Sequence, residues 1–442
     1  MIISGASSTL GVQNLSAKEA VQGPLADYVG KPDDSYGWVK RREGKLLGAS
    51  YAELTLTSQT WRGIPWKHQL FVIKPAIVDD ASQGLLLIGG GRWRPELAGP
   101  APEGNADLPG EAQIVAALAA TIKAPVAVLL HVPQQPLFGD MTEDALISYT
   151  FEQYLRTNEA DWPLLLPMTK SAVKAMDAIQ EYSRDAWSLE IENFTVTGAS
   201  KRGWTTWLAG AIDPRVNAIA PMVIDMLNMP PQMKHQLATW GKFSEEIGDY
   251  TERGIQQQIG TPRGKKLNDI VDPYAYRRSL TQPKLILLGT NDRYWPLDAL
   301  NLYWDDLEGD KYILYVPNNG HGLTDLRRIA GSIAALHLNA AGKLELPKLE
   351  WKHQLGETSL TLKLSSDQPP QHVSAWIASS PTRDFREAQW NSVDIEALSE
   401  SYTHELPFPD AGYAAMFAEA EFDNDGTPYF LSTNVKIIGA KE

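Results

Sequence analysis

The stretch Phe194-Thr195-Val196-Thr197-Gly198-Ala199-Ser200-Lys201-Arg202-Gly203-Trp204 decides how this chain is read. Phe194 and Val196 alternate with Thr195 and Thr197, the period-two pattern of a strand. Gly198 and Ala199 then lead to Ser200, and a helix-like run follows at once. A serine on so abrupt a strand-to-helix turn has its hydroxyl raised into the open, with the N–H groups beyond it aimed outward. The spacing Gly-x-Ser-x-x-Gly is a variant of the nucleophile elbow. The tripeptide alone carries little, because Gly-Ala-Ser recurs at 5–7 and 48–50 with nothing catalytic around it. Its surroundings decide the matter.

Upstream, Gly84 to Ile88 is a short apolar burst closed by Gly89, Gly90 and Gly91, and Pro125 to Leu130 is a second. Such runs suit strands buried on both faces. Downstream lie three more: 216–224 (weakened by Pro221), 284–288 and 312–316. Helices are predicted over 111–123, with Ile114, Leu118 and Ile122 on one face, over 168–183, with Met168, Ala172, Met176 and Ile179, and over 326–340. Strands alternating with helices from 84 to 340 predict a three-layer α/β fold around a mostly parallel sheet. Alternating runs at 51–57 and 68–73 read as an antiparallel pair, preceded by a polar lead-in over 1–45. Residues 226–281, polar and rich in Met and Gln, read as a partly helical insertion over the carboxyl edge of the sheet. The pattern changes near Gly342. Runs at 359–364, 373–377 and 433–438 predict a C-terminal all-β sandwich of the immunoglobulin or fibronectin type. The predicted domains are therefore 1–343 and 344–442.

Composition narrows the function. A chain of 442 residues with formal charge -14 does not suit nucleic acid or an anionic membrane as its main partner. No apolar run approaches the length of a membrane span. The absence of cysteine excludes disulfides, thiolate metal sites and cysteine catalysis. No zinc, P-loop or dinucleotide motif is present, so neither metal nor cofactor is expected. Asp423-Asn424-Asp425-Gly426 lacks the glutamate that would complete a calcium loop and reads as a turn. The N-terminus shows no basic region before Lys18, so no secretory signal is visible. Most of the 14 tryptophans are expected in the core; Trp93 and Trp295 are candidates for substrate contact.

A serine hydroxyl needs a base to take its proton and a third group to orient that base. An acid is expected after a later strand, and Asp292 follows Leu288 by four residues; Asp225, just after the preceding strand, is its rival. The base follows by elimination. His353, His372 and His404 fall in the C-terminal region, His337 mid-helix, His68 in an early strand, His235 in the insertion, and His131 before the nucleophile. His321, between Gly320 and Gly322 after the last parallel strand, completes the order Ser200, Asp292, His321 of the α/β hydrolases. Oxyanion donors are expected from the Lys201 N–H and from the loop carrying Gly91 and Arg92. Arg92, Arg94, Lys201, Arg202 and Arg293 cluster on these segments. At least half of them are expected to form salt bridges with the acidic residues of the chain; if one or two face the pocket, Arg202 among the candidates, the substrate carries a carboxylate or similar anion.

The string Thr197 to Trp207 resembles the hallmark of the PhoPQ-activated pathogenicity-related proteins. So do Leu56 to Trp61 with Trp66-Lys67-His68, Gly289 to Asp292, and Val316 to His321, a likeness spanning roughly 25–440. It implies an α/β-hydrolase domain akin to that of dipeptidyl-peptidase-like serine hydrolases, then a β-sandwich, and export to the periplasm or beyond. The elbow also resembles that of glucuronoyl esterases, with Lys201 where they carry an oxyanion-binding arginine. The expected function is hydrolysis of an ester or peptide acyl bond in a small-molecule or peptide substrate, with a carboxylesterase favoured. A dipeptidyl-type peptidase, or a binding or signalling protein on a hydrolase scaffold, are the alternatives.

Overall fold

The computed structural model describes residues 21–440 except 103, 106, 107, 399 and 400. Residues 1–20, which bear on a secretory signal, lie outside them. Three antiparallel strands, β1 (Gly37–Leu46), β2 (Ala49–Trp61) and β3 (Ile64–Lys74), lead into β4 (Gln83–Ile88), β5 (Val126–Leu129), β6 (Asn193–Ala199), β7 (Val216–Met222), β8 (Lys284–Gly289) and β9 (Lys311–Val316). Their spatial order is β1-β2-β3-β5-β4-β6-β7-β8-β9, parallel from β5 onward. The sheet is thus mixed, with its carboxyl edge formed by the parallel strands.

Side-chain alternation divides that sheet between two apolar layers. Leu86, Val196 and Ile286 join one core with α4 (Leu165–Trp187) and α5 (Lys201–Ile212). Their neighbours Leu85 and Leu285 point the other way, towards α2 (Ala112–Ile122) and α10 (Leu326–Ala340). Ahead of the sheet runs α1 (Pro24–Gly30), and α3 (Glu143–Thr157) lies between β5 and α4. The insertion folds into α6 (Met229–Trp240), α7 (Gly248–Glu252), α8 (Ile255–Gln258) and α9 (Pro262–Val271).

Two readings of the N-terminal half change. The supposed lead-in contains α1 and the edge strand β1, whose Lys40, Arg41, Arg42 and Glu43 are the charged residues that protect a sheet edge. In α2 the inward face is Val115, Ala116, Ala119 and Ile122, whereas Ile114 is 42% exposed. Alanines let that helix lie close to the sheet, so its buried stripe runs one residue later than the bulkiest side chains suggest.

The C-terminal region contains β10 (Leu349–Leu355), β11 (Ser359–Ser366), β12 (His372–Ser380), β13 (Asn391–Asp394), β14 (Ala397–Leu398), β15 (Ser401–Pro407), β16 (Tyr413–Asn424), β17 (Thr427–Ser432) and β18 (Lys436–Gly439). Strands β10-β11-β15-β14 form a four-stranded antiparallel sheet. The others continue the main sheet, because Ser432 of β17 pairs with Ile313 of β9. Leu362, Met416 and Ile333 belong to one apolar cluster, so this region shares a core with α10. The close packing has a visible cause: a side chain on Gly331 of α10 would run into the Pro428 carbonyl. Asp423 to Gly426 makes the β16–β17 turn, with Gly426 N–H on Asp423 Oδ1 at 2.8 Å.

Candidate active site

Ser200 sits between β6 and α5 with φ 58° and ψ -125°, a left-handed conformation that a serine rarely adopts. Its N–H bonds the Met222 carbonyl at 2.9 Å, and its carbonyl accepts from Trp204 N–H at 2.9 Å, so the turn is pinned at both ends. A Cβ on Gly198 would lie 2.8 Å from the Arg202 carbonyl oxygen. One on Gly203 would lie 2.8 Å from the Met222 oxygen and 3.0 Å from that of Gly198. Both glycines of the elbow are therefore required by close backbone approach.

His321 Nε2 lies 2.8 Å from Ser200 Oγ, and His321 Nδ1 lies 2.8 Å from Asp292 Oδ2. Three loops from strands far apart in sequence thus meet at one rim of the sheet. The acid and histidine loops are fastened together: Asn291 N–H bonds the Asn319 carbonyl at 2.9 Å, and Asn318 N–H bonds Thr290 Oγ1 at 2.9 Å. Gly289 lets them touch, since a Cβ there would lie 2.5 Å from two backbone oxygens of the histidine loop. The C-terminal region braces both loops. Asn291 Nδ2 donates to the Ala388 carbonyl at 2.7 Å, and Trp390 N–H donates to Asn318 Oδ1 at 2.8 Å.

Asp225 stands apart from His321. It is buried and accepts the Tyr303 hydroxyl at 2.7 Å. Burial, helped by the charge of Asp292, pushes its carboxyl up to about 8 despite the Tyr303 bond.

Three of the five clustered cations, Lys201, Arg202 and Arg293, form salt bridges, the reading expected for at least half of them. Arg202 is not available to a substrate: its guanidinium forks onto Glu143 at 2.6 and 2.8 Å, and its Nε donates to the Val132 carbonyl at 2.6 Å. The Lys201 ammonium is held by Asp144 at 2.6 Å. Arg293 pairs with Glu245 and Glu387. Acidic partners thus match the charges of Lys201, Arg202 and Arg293. Trp93 packs edge-on against His131, with ring centroids 5.8 Å apart. Gly91 has φ 118° and its carbonyl accepts from Gln135 Nε2 at 3.0 Å; Arg92 beside it is exposed.

Four residues escaped sequence reasoning. Glu143 and Asp144 open α3 and face the elbow. Tyr250 donates its hydroxyl to Asp144 at 3.0 Å. The Tyr294 ring stacks on His321, and its N–H bonds Asp292 Oδ1 at 2.9 Å. Only Tyr294, two residues past the acid, carried any signal in its position. A pocket begins at Ser200 and His321. It runs beneath the insertion, with Trp295, Trp204, Met226, Met229 and Leu267 among its walls.

Residues 25–386 match the family described as PhoPQ-activated pathogenicity-related protein. The chain is 32% identical over 435 residues to autocrine proliferation repressor protein A of Dictyostelium discoideum, covering 90% of this chain and 86% of that protein. Among solved structures, acetyl xylan esterase 1 from Thermoanaerobacterium sp. aligns with TM-score 0.47 at 15% identity, over 73% of this chain and 95% of that one. A glucuronoyl esterase from Solibacter usitatus aligns with TM-score 0.41 at 14% identity, over 67% and 86%. On the extent of the family match and of the Dictyostelium likeness, this chain belongs to the PhoPQ-activated pathogenicity-related protein family.

Proposed function

We propose that this chain is a serine hydrolase of the carboxylesterase kind, with Ser200 as nucleophile, His321 as base and Asp292 as its orienting acid. The hydrogen-bonded line from Asp292 through His321 to Ser200, with both links at 2.8 Å, carries this reading. His321 takes the hydroxyl proton as Ser200 attacks the acyl carbon, then delivers it to the leaving oxygen. Asp292 fixes the imidazole with Nε2 towards the serine and favours the imidazolium that forms.

The tetrahedral oxyanion needs donors placed in advance. The Lys201 N–H opens α5 and has no acceptor within the helix, and the positive end of the helix points the same way. The second donor is assigned to the loop of Gly91 and Arg92, which leaves β4 beside the elbow strand. A peptidase that grips a substrate amine needs free carboxylates. The pair nearest the pocket, Glu143 and Asp144, is occupied by Arg202 and Lys201, which supports the esterase over the peptidase. The four-stranded antiparallel sheet beside the C-terminal extension of the main sheet supports a sandwich fused to the hydrolase sheet, and export to the periplasm or beyond is proposed with the family.

A fluorophosphonate probe tests the reading. Covalent labelling of the intact protein, abolished by Ser200→Ala, is the expected result, with turnover of nitrophenyl esters exceeding that of dipeptide amides. An unlabelled protein beside a labelled control hydrolase moves a binding role on this scaffold ahead.

A further inference from the structure

The pocket beside Ser200 constrains what a substrate can be, and we infer that it accepts an ester bearing an unbranched aliphatic arm of medium length. This inference rests on the hydrolase reading. The far wall comes from the insertion: Met226, Met229 and Met233 around the start of α6, and Ile255, Ile259 and Leu267 around α8 and α9. Methionine has three freely turning bonds and a polarizable sulfur, so a run of three adapts to a flexible chain more readily than to a rigid ring.

Apart from His321, the charged side chains on that wall are Asp144 and Lys201, which satisfy each other at 2.6 Å. Asp144 also takes the Tyr250 hydroxyl at 3.0 Å. A carboxylate or ammonium carried in by a substrate would lose its water without gaining a partner, a cost that an alkyl chain avoids. Gln256, Gln258 and Asn268 add uncharged polarity on the α8–α9 side. The lining runs from Ser200 and His321 to Leu267 and Asn268 of α9.

Two homologous series test this on the intact protein: nitrophenyl esters from acetate to decanoate, and acetate esters of alcohols from ethanol to octanol. In one series kcat/KM should rise about fourfold per methylene, equivalent to about 0.8 kcal/mol each, until the pocket is full. Met233→Trp should move the optimum to a shorter chain in that same series. A fluorophosphonate-labelled protein whose two series are both flat or falling overturns the aliphatic arm and leaves the hydrolase standing. A protein that neither labels nor turns over any ester overturns both.

Discussion

Tyr294 lies almost face to face with His321, their ring centroids 4.1 Å apart and their planes 30° from parallel. The same residue donates its N–H to Asp292 at 2.9 Å and its hydroxyl to Asp144 at 3.4 Å. It therefore touches the proposed orienting acid, the proposed base and the carboxylate that holds Lys201. In the proposed reaction the imidazolium of His321 would lie over this aromatic face. Tyr294→Leu should lower kcat roughly tenfold, with a smaller change in KM. Tyr294→Phe keeps the ring and gives up only a long hydrogen bond, so it should restore most of the rate. Equal kcat in the Leu variant and the parent would remove this positioning role.

The two candidate acids part company on substitution by asparagine. Asp292→Asn should reduce kcat by about 10⁴, because the amide favours the wrong imidazole tautomer. Asp225→Asn should leave turnover close to the parent, since Asn Oδ1 can still accept the Tyr303 hydroxyl. Its effect appears in stability. Folding raises the Asp225 carboxyl from 3.8 to about 8, mainly through burial. Between those values the unfolded chain binds fewer protons than the folded one, so this residue makes stability fall as pH rises through that window and adds no slope above it. Denaturant midpoints measured from pH 5 to 9 should decline less steeply in Asp225→Asn. Parallel curves would exclude the neutral buried carboxyl.

What could be read beforehand was whatever depends on neighbours in sequence. Ser200 was legible because its flanking glycines stand where backbone crowds them, and Asp292 and His321 because each follows a strand apolar on both faces. Glu143 and Asp144 were hidden: their importance arises only when the start of α3 packs against α5, and nothing local marks two acidic residues at a helix start as special. The brace from Ala388 and Trp390 to Asn291 and Asn318 was hidden for the same reason, being made across more than 70 residues of chain. Salt bridges for the cations near the elbow could be expected from the acidic composition, but not which acids would make them. In α2, hydrophobic bulk at Ile114 and Leu118 outweighed the small residues that govern close approach.

Lys201 offers a sharper separation of side chain from backbone. Its ammonium is held by Asp144 at 2.6 Å and lies 5.6 Å from the Tyr294 ring, whereas its N–H opens the helix behind Ser200. Lys201→Met keeps the N–H and loses only the contacts of the ammonium with Asp144, Glu143 and the Tyr294 ring. The expected loss in kcat is about tenfold or less, against the 10²–10³ typical of deleting an oxyanion donor. Adding Asp144→Asn to the Met variant should recover part of that loss by removing the unpaired carboxylate. A drop of 10² or more, with no recovery in the double variant, would return the ammonium to the oxyanion.

Gly203 tests whether the elbow is held by backbone packing rather than by Ser200 itself. An added methyl there would meet the Met222 oxygen at 2.8 Å, the Gly198 oxygen at 3.0 Å and Ile224 Cγ2 at 2.8 Å. Side chains yield to such pressure, but two carbonyls committed to β6 and β7 do not, so α5 must move away from the sheet. Gly203→Ala should cost about 1–3 kcal/mol of stability, the usual range for overpacking. It should also slow fluorophosphonate labelling at temperatures where the protein remains folded, because α5 carries the Lys201 N–H and pins the Ser200 carbonyl. Gly241→Ala is the matched control: it too changes glycine to alanine at a helix end, in the insertion, where no atom lies within 4 Å of the new methyl. Its φ of 70° gives it a backbone penalty of its own, so loss of stability alone does not distinguish the two variants. Slower labelling in Gly203→Ala alone locates the effect at the elbow; equal labelling in both would mean that the turn tolerates the displacement and that Ser200 is held in place by other contacts.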